Sequence, residues 1–274
     1  MNIARVGDFT TQWGESLVWD EQRNRLYLVD TLGMAILWLD DGATSPQSLA
    51  TPQMPSGMVA TPDGRLVVTM DDGLYVADID AGTVTLLSAY PERLGGRAND
   101  MVADFEGNLI TGKLNLGPAE GSAWWFQAST DTWRLLDDDI ANTNGPTVAE
   151  LDGKMTLVIG DSSAHYWAYD YDASTGTVGP RRMFGDMDAL GGGVPDGATL
   201  DDTGGLWCAL PGRSQLVRFT TAGHDGTVDL PFEYPTDVTF AGPNLDRLYV
   251  TAINEGLYVI DGVGRGRIEP RAML

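Results

Sequence analysis

The sequence predicts an all-β fold, a six-bladed β-propeller with four-stranded blades, and two observations support this prediction. Six segments share one pattern: a turn residue, a polar residue, a short apolar run, a turn and a second apolar run. The polar residues of successive copies lie 41, 43, 45, 52 and 40 positions apart. Repeats of roughly 40–45 residues built from short strands are typical of propellers, where each repeat forms one blade. Six such blades would use the whole chain, so residues 1–274 are predicted to be one domain.

The second copy shows the elements of a blade in order. Its inner strand is Met58–Ala60, and a turn leads to the second strand at Leu66–Met70. The third strand is Leu74–Ile79, and the outer strand is Thr83–Leu87. Asp-Gly between apolar runs, as at Asp63-Gly64, is a strong hairpin signal. Third strands are also predicted in the other copies, at Ile36–Leu39, Ala123–Phe126, Tyr166–Tyr169, Gln215–Phe219 and Leu257–Ile260. No segment has a 3.6-residue apolar period, so almost no helix is expected.

The two ends of the chain predict how the ring closes. Six copies leave Ile3–Phe9 unassigned, and the sixth copy is short, ending near Arg271. An N-terminal strand that forms the outer edge of the last blade would close the ring and remove a free sheet edge. Two irregular stretches, Leu114–Gly121 and Gly185–Gly193, are predicted to be loops near the channel, where substrate selection usually occurs.

Composition excludes several classes of partner. The net charge is -22, and the only lysines are Lys113 and Lys154, so nucleic acid and anionic membranes are not expected as partners. A strongly solvated surface and a high-salt habitat would both give this composition. No apolar run approaches the ~18 residues of a membrane span, and the N-terminus lacks a signal-peptide core. The single cysteine, Cys208, lies in an apolar run and fits a buried thiol in a reducing compartment. A cytoplasmic protein is therefore expected.

The polar residues of the repeat fall in one column and predict a ring around the channel. Alone, each would be read as a turn residue that bonds the local backbone. Together they offer two carboxylates and two carboxamides, oxygen ligands that suit a hard divalent cation. No His or Cys is among them, which argues against a dedicated zinc or copper site. Ca²⁺ is therefore preferred, with Zn²⁺, Mn²⁺ or Mg²⁺ as alternatives. The six ring positions are Glu15, Ser56, Asn99, Asn144, Asp196 and Thr236.

Other polar residues are placed outside the ring. Arg97 precedes Asn99 by two residues, so its guanidinium either orients an anionic or polyhydroxylated substrate at the channel mouth or pairs with a surface acid. Asp100 is expected to be a structural turn carboxylate. His165 and His224 are outside the ring column and are expected to be solvated or packed. No Gly-x-Ser-x-Gly nucleophile elbow is present.

Several of these segments resemble the gluconolactonase/regucalcin family, also called the senescence marker protein family. The resemblance spans nearly the whole chain, and it implies a six-bladed propeller with one catalytic divalent metal that hydrolyses sugar lactones. It is carried by Gly14–Asp20 with Arg25–Asp30, by Arg97–Asp100, by Tyr169–Asp172 with Thr175-Gly176 and Arg181-Arg182, and by Pro195–Gly197 with Gly205–Trp207.

The resemblance also implies roles for single residues. It implies metal ligation by Glu15, Asn144 and Asp196, and substrate contacts by Arg97 and Asn99. The chain departs from the family in two places, which affect the substrate more than the metal. Pro146-Thr147-Val148 stands where the family has an apolar residue followed by Ala-Trp. The acidic loop of the third blade is shortened to Leu114–Gly121, in which Glu120 aligns with a substrate-contacting glutamate.

The ring and the resemblance together predict a metal-dependent lactonase acting on a small sugar lactone. Metal-activated water would attack the lactone carbonyl, with Asp196 as the residue that accepts its proton. Arg97 and Asn99 would hold the sugar hydroxyls. Two alternatives stay open at this point: a phosphotriesterase or esterase on the same metal, and a non-catalytic propeller that binds calcium or a protein partner. A monomer or a small homo-oligomer is expected.

Overall fold

The computed structural model describes residues 1–114 and 121–274, and it confirms the six-bladed propeller. The inner strands contact one another around a closed ring. The strands of the first three blades are β2 Gly14–Asp20, β3 Arg25–Asp30, β4 Ala35–Asp40 and β5 Gln47–Ala50; β6 Met58–Ala60, β7 Leu66–Thr69, β8 Gly73–Asp78 and β9 Thr83–Ala89; and β10 Ala98–Ala103, β11 Leu109–Lys113, β12 Ala123–Gln127 and β13 Thr132–Asp137.

The other three blades have the same antiparallel order, with one strand borrowed from the N-terminus. They are β14 Thr143–Leu151, β15 Lys154–Asp161, β16 His165–Asp172, β17 Thr177–Val178 and β18 Arg182–Asp186; β19 Ala198–Leu200, β20 Leu206–Leu210, β21 Gln215–Thr220 and β22 Gly223–Asp229; and β23 Pro235–Ala241, β24 Arg247–Ala252, β25 Leu257–Asp261 and β1 Asn2–Val6. Two short 3-10 helices, Ala128–Thr130 and Asp188–Leu190, are the helical segments of the described residues, and neither could cross a membrane.

The N-terminal strand closes the ring as predicted. β1 pairs antiparallel with β25, in a register that runs from Asn2 opposite Asp261 to Val6 opposite Leu257. Without β1, the outward edge of β25 would present unpaired backbone groups.

The fourth blade departs from the predicted four strands because its outer edge is split in two. Tyr171 and Asp172 of β16 pair with β17, whereas the first half of β16 pairs with β18. Pro180 lies between the two edge segments and has no N–H to donate to the ladder. The long edge of β16 is therefore covered by two short strands instead of one.

The core lies between the blades, and the middle strands are buried on both faces. Every residue of β7 and of β20 is buried. These strands therefore read as continuous apolar runs instead of alternating ones, because a blade is packed between two neighbours. Cys208 lies in β20 and is fully buried, as predicted, and burial raises the pKa of its thiol to about 12.

A C-terminal segment follows the last strand of the sixth blade and packs against other blades. We call the face where the inner strands begin the upper face, and the opposite one the lower face. After β25, the segment 262–274, here called the C-terminal tail, crosses the lower face. Gly266 forms a bridge with Asp201, and the Ala272 N–H donates to the Ala60 carbonyl at 2.9 Å. Arg271 binds Asp20 and Glu21, each at 2.7 Å. The tail thus joins the fifth blade to the first two.

Candidate active site

The ring residues lie where the inner strands enter the channel from the upper face. The pairing of these strands shifts register just after the ring position, as between Glu15 and Val18 and between Asn144 and Thr147. Such a bulge inserts an extra residue and re-aims the side chains around it. At Gly145, which follows Asn144, φ is 46°, a left-handed conformation that glycine adopts without strain.

Glu15 is buried and only half satisfied by hydrogen bonds. Its side chain is 9% exposed, and the indole Nε1 of Trp13 donates to Oε1 at 2.7 Å. The second oxygen, Oε2, is buried and finds no hydrogen-bond partner among the described residues. A buried carboxylate oxygen without a partner is costly, and a cation at this place would satisfy it.

Asn144 is held on three sides. It is 3% exposed, and its Nδ2 donates to the Pro195 carbonyl at 2.7 Å. Its Oδ1 accepts from Asn142 Nδ2 at 3.1 Å and also from Asn99 Nδ2. An amide oxygen has two lone pairs, so a cation bound at this oxygen would require one donor to leave. Asn99 is half-buried and belongs to the neighbouring blade, and its Nδ2 also donates to the Thr143 carbonyl at 3.0 Å.

Asp196 is fixed through its main chain. Its N–H donates to the Ala209 carbonyl at 3.0 Å, and its carbonyl accepts from the Tyr166 hydroxyl at 2.8 Å. Burial raises the pKa of its carboxyl well above the usual value, and the charges of Asp100 and Asp237 raise it further. Burial and then Asp196 do the same to the pKa of Glu15. These carboxyl groups therefore favour a bound proton or a bound cation.

The other two ring positions are already satisfied. The Ser56 hydroxyl accepts from Arg97 Nε at 2.8 Å, and Thr236 donates from Oγ1 to the Gly14 carbonyl. Arg97 also donates to the Pro55 carbonyl at 3.4 Å and is half-buried. It forms no ion pair with an acid of residues 1–114 or 121–274. Glu120, the remaining predicted contact, lies outside the described residues.

A known protein family matches the stretch of the chain that contains the ring residues. Residues 13–254 match the SMP-30/Gluconolactonase/LRE-like region. The chain belongs to this family.

Members of the family resemble the chain over nearly its whole length. It is 29% identical to pentonolactonase XacC of Haloferax volcanii over 92% of this chain and 85% of that protein. It is 28% identical to regucalcin of Xenopus laevis over 99% of this chain and 98% of that protein. Among solved structures, regucalcin of Agrobacterium tumefaciens, described as a calcium-binding protein, superposes with a TM-score of 0.87 at 25% identity, covering 97% of this chain and 95% of that one.

The sequence analysis did not identify the carboxylates of Asp100 and Asp237 as channel residues. Asp100 was expected to be a turn residue, but it lies on β10 and accepts from the Gly145 N–H of the next blade at 2.8 Å. Asp237 accepts from the Leu17 N–H across the boundary between the sixth and first blades. Both occupy the repeat position that directly follows the ring. A second column read through the aligned copies would have revealed them.

The two histidines stay outside the ring, as predicted. His165 stacks on Trp167 with ring centroids 5.1 Å apart. It faces Asp186 and Asp188 at the upper rim of the fourth blade, where their ligand atoms lie within 4.8 Å of one another. Asp188 is exposed, and exposed acids are common on a surface of this charge. His224 is exposed and bonds to Thr227 at 2.9 Å.

The buried carboxyl groups predict how the metal-free protein responds to pH. Burial raises the pKa of Asp100 to about 6 and that of Glu269, in the C-terminal tail, to about 7. A raised acid pKa stabilises the fold below the unfolded value near ~4, and this contribution is lost as the pH rises through about 6–7. In EDTA, we expect the melting temperature to fall by at least about 3 °C between pH 5 and pH 8. A melting temperature that rises over this range would contradict the assignment.

Proposed function

We propose that this chain is a divalent-metal-dependent hydrolase that opens sugar lactones. The observation that carries the proposal is the unpartnered Oε2 of Glu15, buried in a ring that also holds Asp196 and the carboxamides of Asn99 and Asn144. The names of two relatives support the same reading, one being a pentonolactonase and the other a calcium-binding protein. A module that only bound another protein would have no use for a half-satisfied buried carboxylate.

Three residues of the ring are proposed to hold the cation. Glu15 offers Oε2, Asp196 offers a carboxylate, and Asn144 offers Oδ1 once the Asn99 amide turns away. The donor set is all oxygen, which favours Ca²⁺ and leaves Zn²⁺, Mn²⁺ and Mg²⁺ as alternatives. When bound, the cation supplies positive charge that stabilises an oxyanion and lowers the pKa of water.

Asp196 is the proposed general base. Its raised pKa makes it a better proton acceptor near neutral pH than an exposed aspartate would be. Main-chain hydrogen bonds to Ala209 and from Tyr166 fix its position, so the carboxylate does not have to be ordered when substrate arrives. A single residue would thus accept a proton from the attacking water and return it to the alkoxide that leaves as the ring opens.

Arg97 and Asn99 are the proposed substrate contacts. Both come from the entry of β10, at the upper end of the channel. Ser56 and Pro55 hold the guanidinium of Arg97 in place through Nε and Nη2, which orients the planar group before substrate binds. The Asn99 amide that turns away from Asn144 becomes free to bond a sugar hydroxyl. Glu120 stays a proposed contact.

A lactone panel tests the proposal directly. The EDTA-treated chain is assayed by acid release on pentono- and hexonolactones, each with added Ca²⁺, Mg²⁺, Mn²⁺ or Zn²⁺. We expect turnover of hydroxylated lactones that requires added metal, and much weaker turnover of an unsubstituted aliphatic lactone. Preferential hydrolysis of aryl esters or phosphotriesters would move the activity to the ester class. Stoichiometric metal binding without turnover of any substrate would make the chain a binding protein.

A further inference from the structure

Asn142 is a buried polar residue beside the ring that the proposed reaction does not use. It directly precedes β14, on the upper side of Asn144, and it is 7% exposed. Its Oδ1 is buried and makes no hydrogen bond to any residue of 1–114 or 121–274. Buried side-chain oxygens are nearly always bonded to protein or to ordered water, so an orphaned one points to a partner that enters the site.

The hydrogen bonds of Asn144 fix which way the Asn142 carboxamide faces. Asn144 Nδ2 donates to the Pro195 carbonyl at 2.7 Å, and since a carbonyl can only accept, Oδ1 of Asn144 is the atom that faces Asn142. Asn142 meets this oxygen with its Nδ2 at 3.1 Å. Turning the Asn142 amide over would place two acceptors against each other, so a flip cannot satisfy its orphaned Oδ1.

Asn142 and Asn99 donate to the same oxygen of Asn144, and they differ in what else they can bond. Nδ2 of Asn99 also donates to the Thr143 carbonyl at 3.0 Å, whereas Nδ2 of Asn142 has no other acceptor among the described residues. A cation at Asn144 Oδ1 would occupy one of its two lone pairs and leave the other for a single donor. Asn142 is the donor that stays, because leaving would strand a buried N–H group, while Asn99 keeps its bond to Thr143.

We propose that Asn142 is a positioning residue of the cation site. Its Nδ2 holds the Oδ1 of Asn144 toward the ion, and its own Oδ1 accepts a hydrogen bond from an O–H group that enters with the ion. That group is a water of the ion's shell or a hydroxyl of the lactone, and the two share the same donor chemistry. The inference rests on the proposed function in one respect, that Asn144 is a ligand of the ion.

The orphaned oxygen predicts that Asn142 affects the metal-free and the calcium-bound protein differently. Asn142→Leu removes a buried unsatisfied group and roughly keeps the size of the side chain, while Asn144 Oδ1 keeps its bond from Asn99. In EDTA, we therefore expect the melting temperature of this variant to equal or exceed that of the parent. On adding Ca²⁺ to about 1 mM, the rise in melting temperature should be smaller than in the parent by about 2–4 °C, since the ion binds about tenfold more weakly.

Calorimetric titration of the EDTA-treated full chain with Ca²⁺, in the absence of lactone, measures the affinity itself. We expect Asn142→Leu and Asn142→Ala each to lower it by about tenfold or more, the range typical of groups that orient a ligand. Asn108→Ala is the matched control, because Asn108 is also 7% exposed and its Nδ2 bonds to Asp104 and Ala173 instead of to the ring. It should keep parental affinity even where it lowers the melting temperature. Parental affinity in both Asn142 variants, or a loss no larger than that of Asn108→Ala, would overturn the proposal.

Lactones that lack single hydroxyls identify the O–H group that bonds to Asn142. KM is measured at saturating Ca²⁺ for Asn142→Ala and the parent, on a pentonolactone and on its monodeoxy forms. A rise in KM that disappears with one deoxy form assigns a lactone hydroxyl as the donor. Equal effects on all of these lactones assign a water.

Asn144→Ala separates a failure of this inference from a failure of the proposed function. If this variant binds Ca²⁺ with parental affinity, Asn144 is not a ligand, and the proposed cation site and the role of Asn142 both fall. If Asn144→Ala loses affinity while both Asn142 variants keep it, only the role of Asn142 is overturned.

Discussion

Replacing Asp196 with asparagine is expected to lower kcat/KM for the best sugar lactone by about 10² or more, because the proposed proton acceptor is lost. Asparagine keeps the shape of the side chain and one oxygen that can bind a cation. The main-chain bonds to Ala209 and from Tyr166 do not involve the carboxylate, so the strand entry should keep its conformation. Steady-state kinetics at saturating metal measure the chemical step apart from metal binding.

The control for Asp196→Asn is the same chemical change at an exposed position. Asp80→Asn alters a turn carboxylate far from the channel residues and should leave kcat/KM within about twofold of the parent. If Asp196→Asn hydrolyses the lactone at the parental rate once metal is saturating, Asp196 is not the base. The proton would then have to be accepted by another group of the ring, of which Glu15 is the other carboxylate.

The sequence predicted the blades and the ring because both depend on position within a repeat. One period fixes the strand order, and the same position in each copy reaches the same height in the channel. The position that follows the ring was not recognised as a second column because only two of its six copies carry a charge. Ser16, Gly57, Gly145 and Gly197 occupy four of its six places, and only Asp100 and Asp237 carry charge.

The features that were missed depend on contacts between distant parts of the chain. The Arg97 hydrogen bond to Ser56 joins residues 41 positions apart, in two different blades. The C-terminal tail reaches the Ala60 carbonyl across the whole lower face. No local pattern marks either contact, because both depend on the closed ring. The split edge of the fourth blade did have a local signal, since Pro180 stands where a continuous edge strand would need an N–H.

Two glycines, Gly145 and Gly197, make room in the channel for the side chains of Asp100 and Asp237, which occupy the repeat position after the ring. A Cβ added at Gly197 would collide with the Asp237 carboxylate, and one at Gly145 would collide with the main chain of Asp196. Glycine at these places therefore lets two carboxylates and the ring residues share a narrow channel. The charges of Asp100 and Asp237 raise the pKa of Asp196 beyond the effect of burial.

Trp13 and Glu15 provide the second large expected effect. Glu15→Gln removes one of the two ring carboxylates but keeps an oxygen that can accept from the Trp13 indole, which donates to Glu15 at 2.7 Å. We expect calcium affinity at the ring to fall by about 100-fold or more, since one of the two proposed anionic ligands is lost. Trp13→Phe keeps the charge and removes only the indole N–H that orients it, and we expect a loss of about tenfold, in the range typical of groups that position a ligand.

Glu15→Gln and Trp13→Phe also distinguish an effect on metal affinity from an effect on the rate of the reaction. At saturating calcium, Trp13→Phe should recover most of the parental kcat, because the ligand itself is intact. Trp133→Phe is the matched control, since it deletes an indole N–H that donates to Ser88 at 3.1 Å in a region outside the channel. Its calcium affinity should equal that of the parent. Calorimetric titration of the three variants measures these constants. Parental affinity in Glu15→Gln would remove Glu15 from the site, and the orphaned Oε2 would then need a proton or a water as its partner instead of a cation.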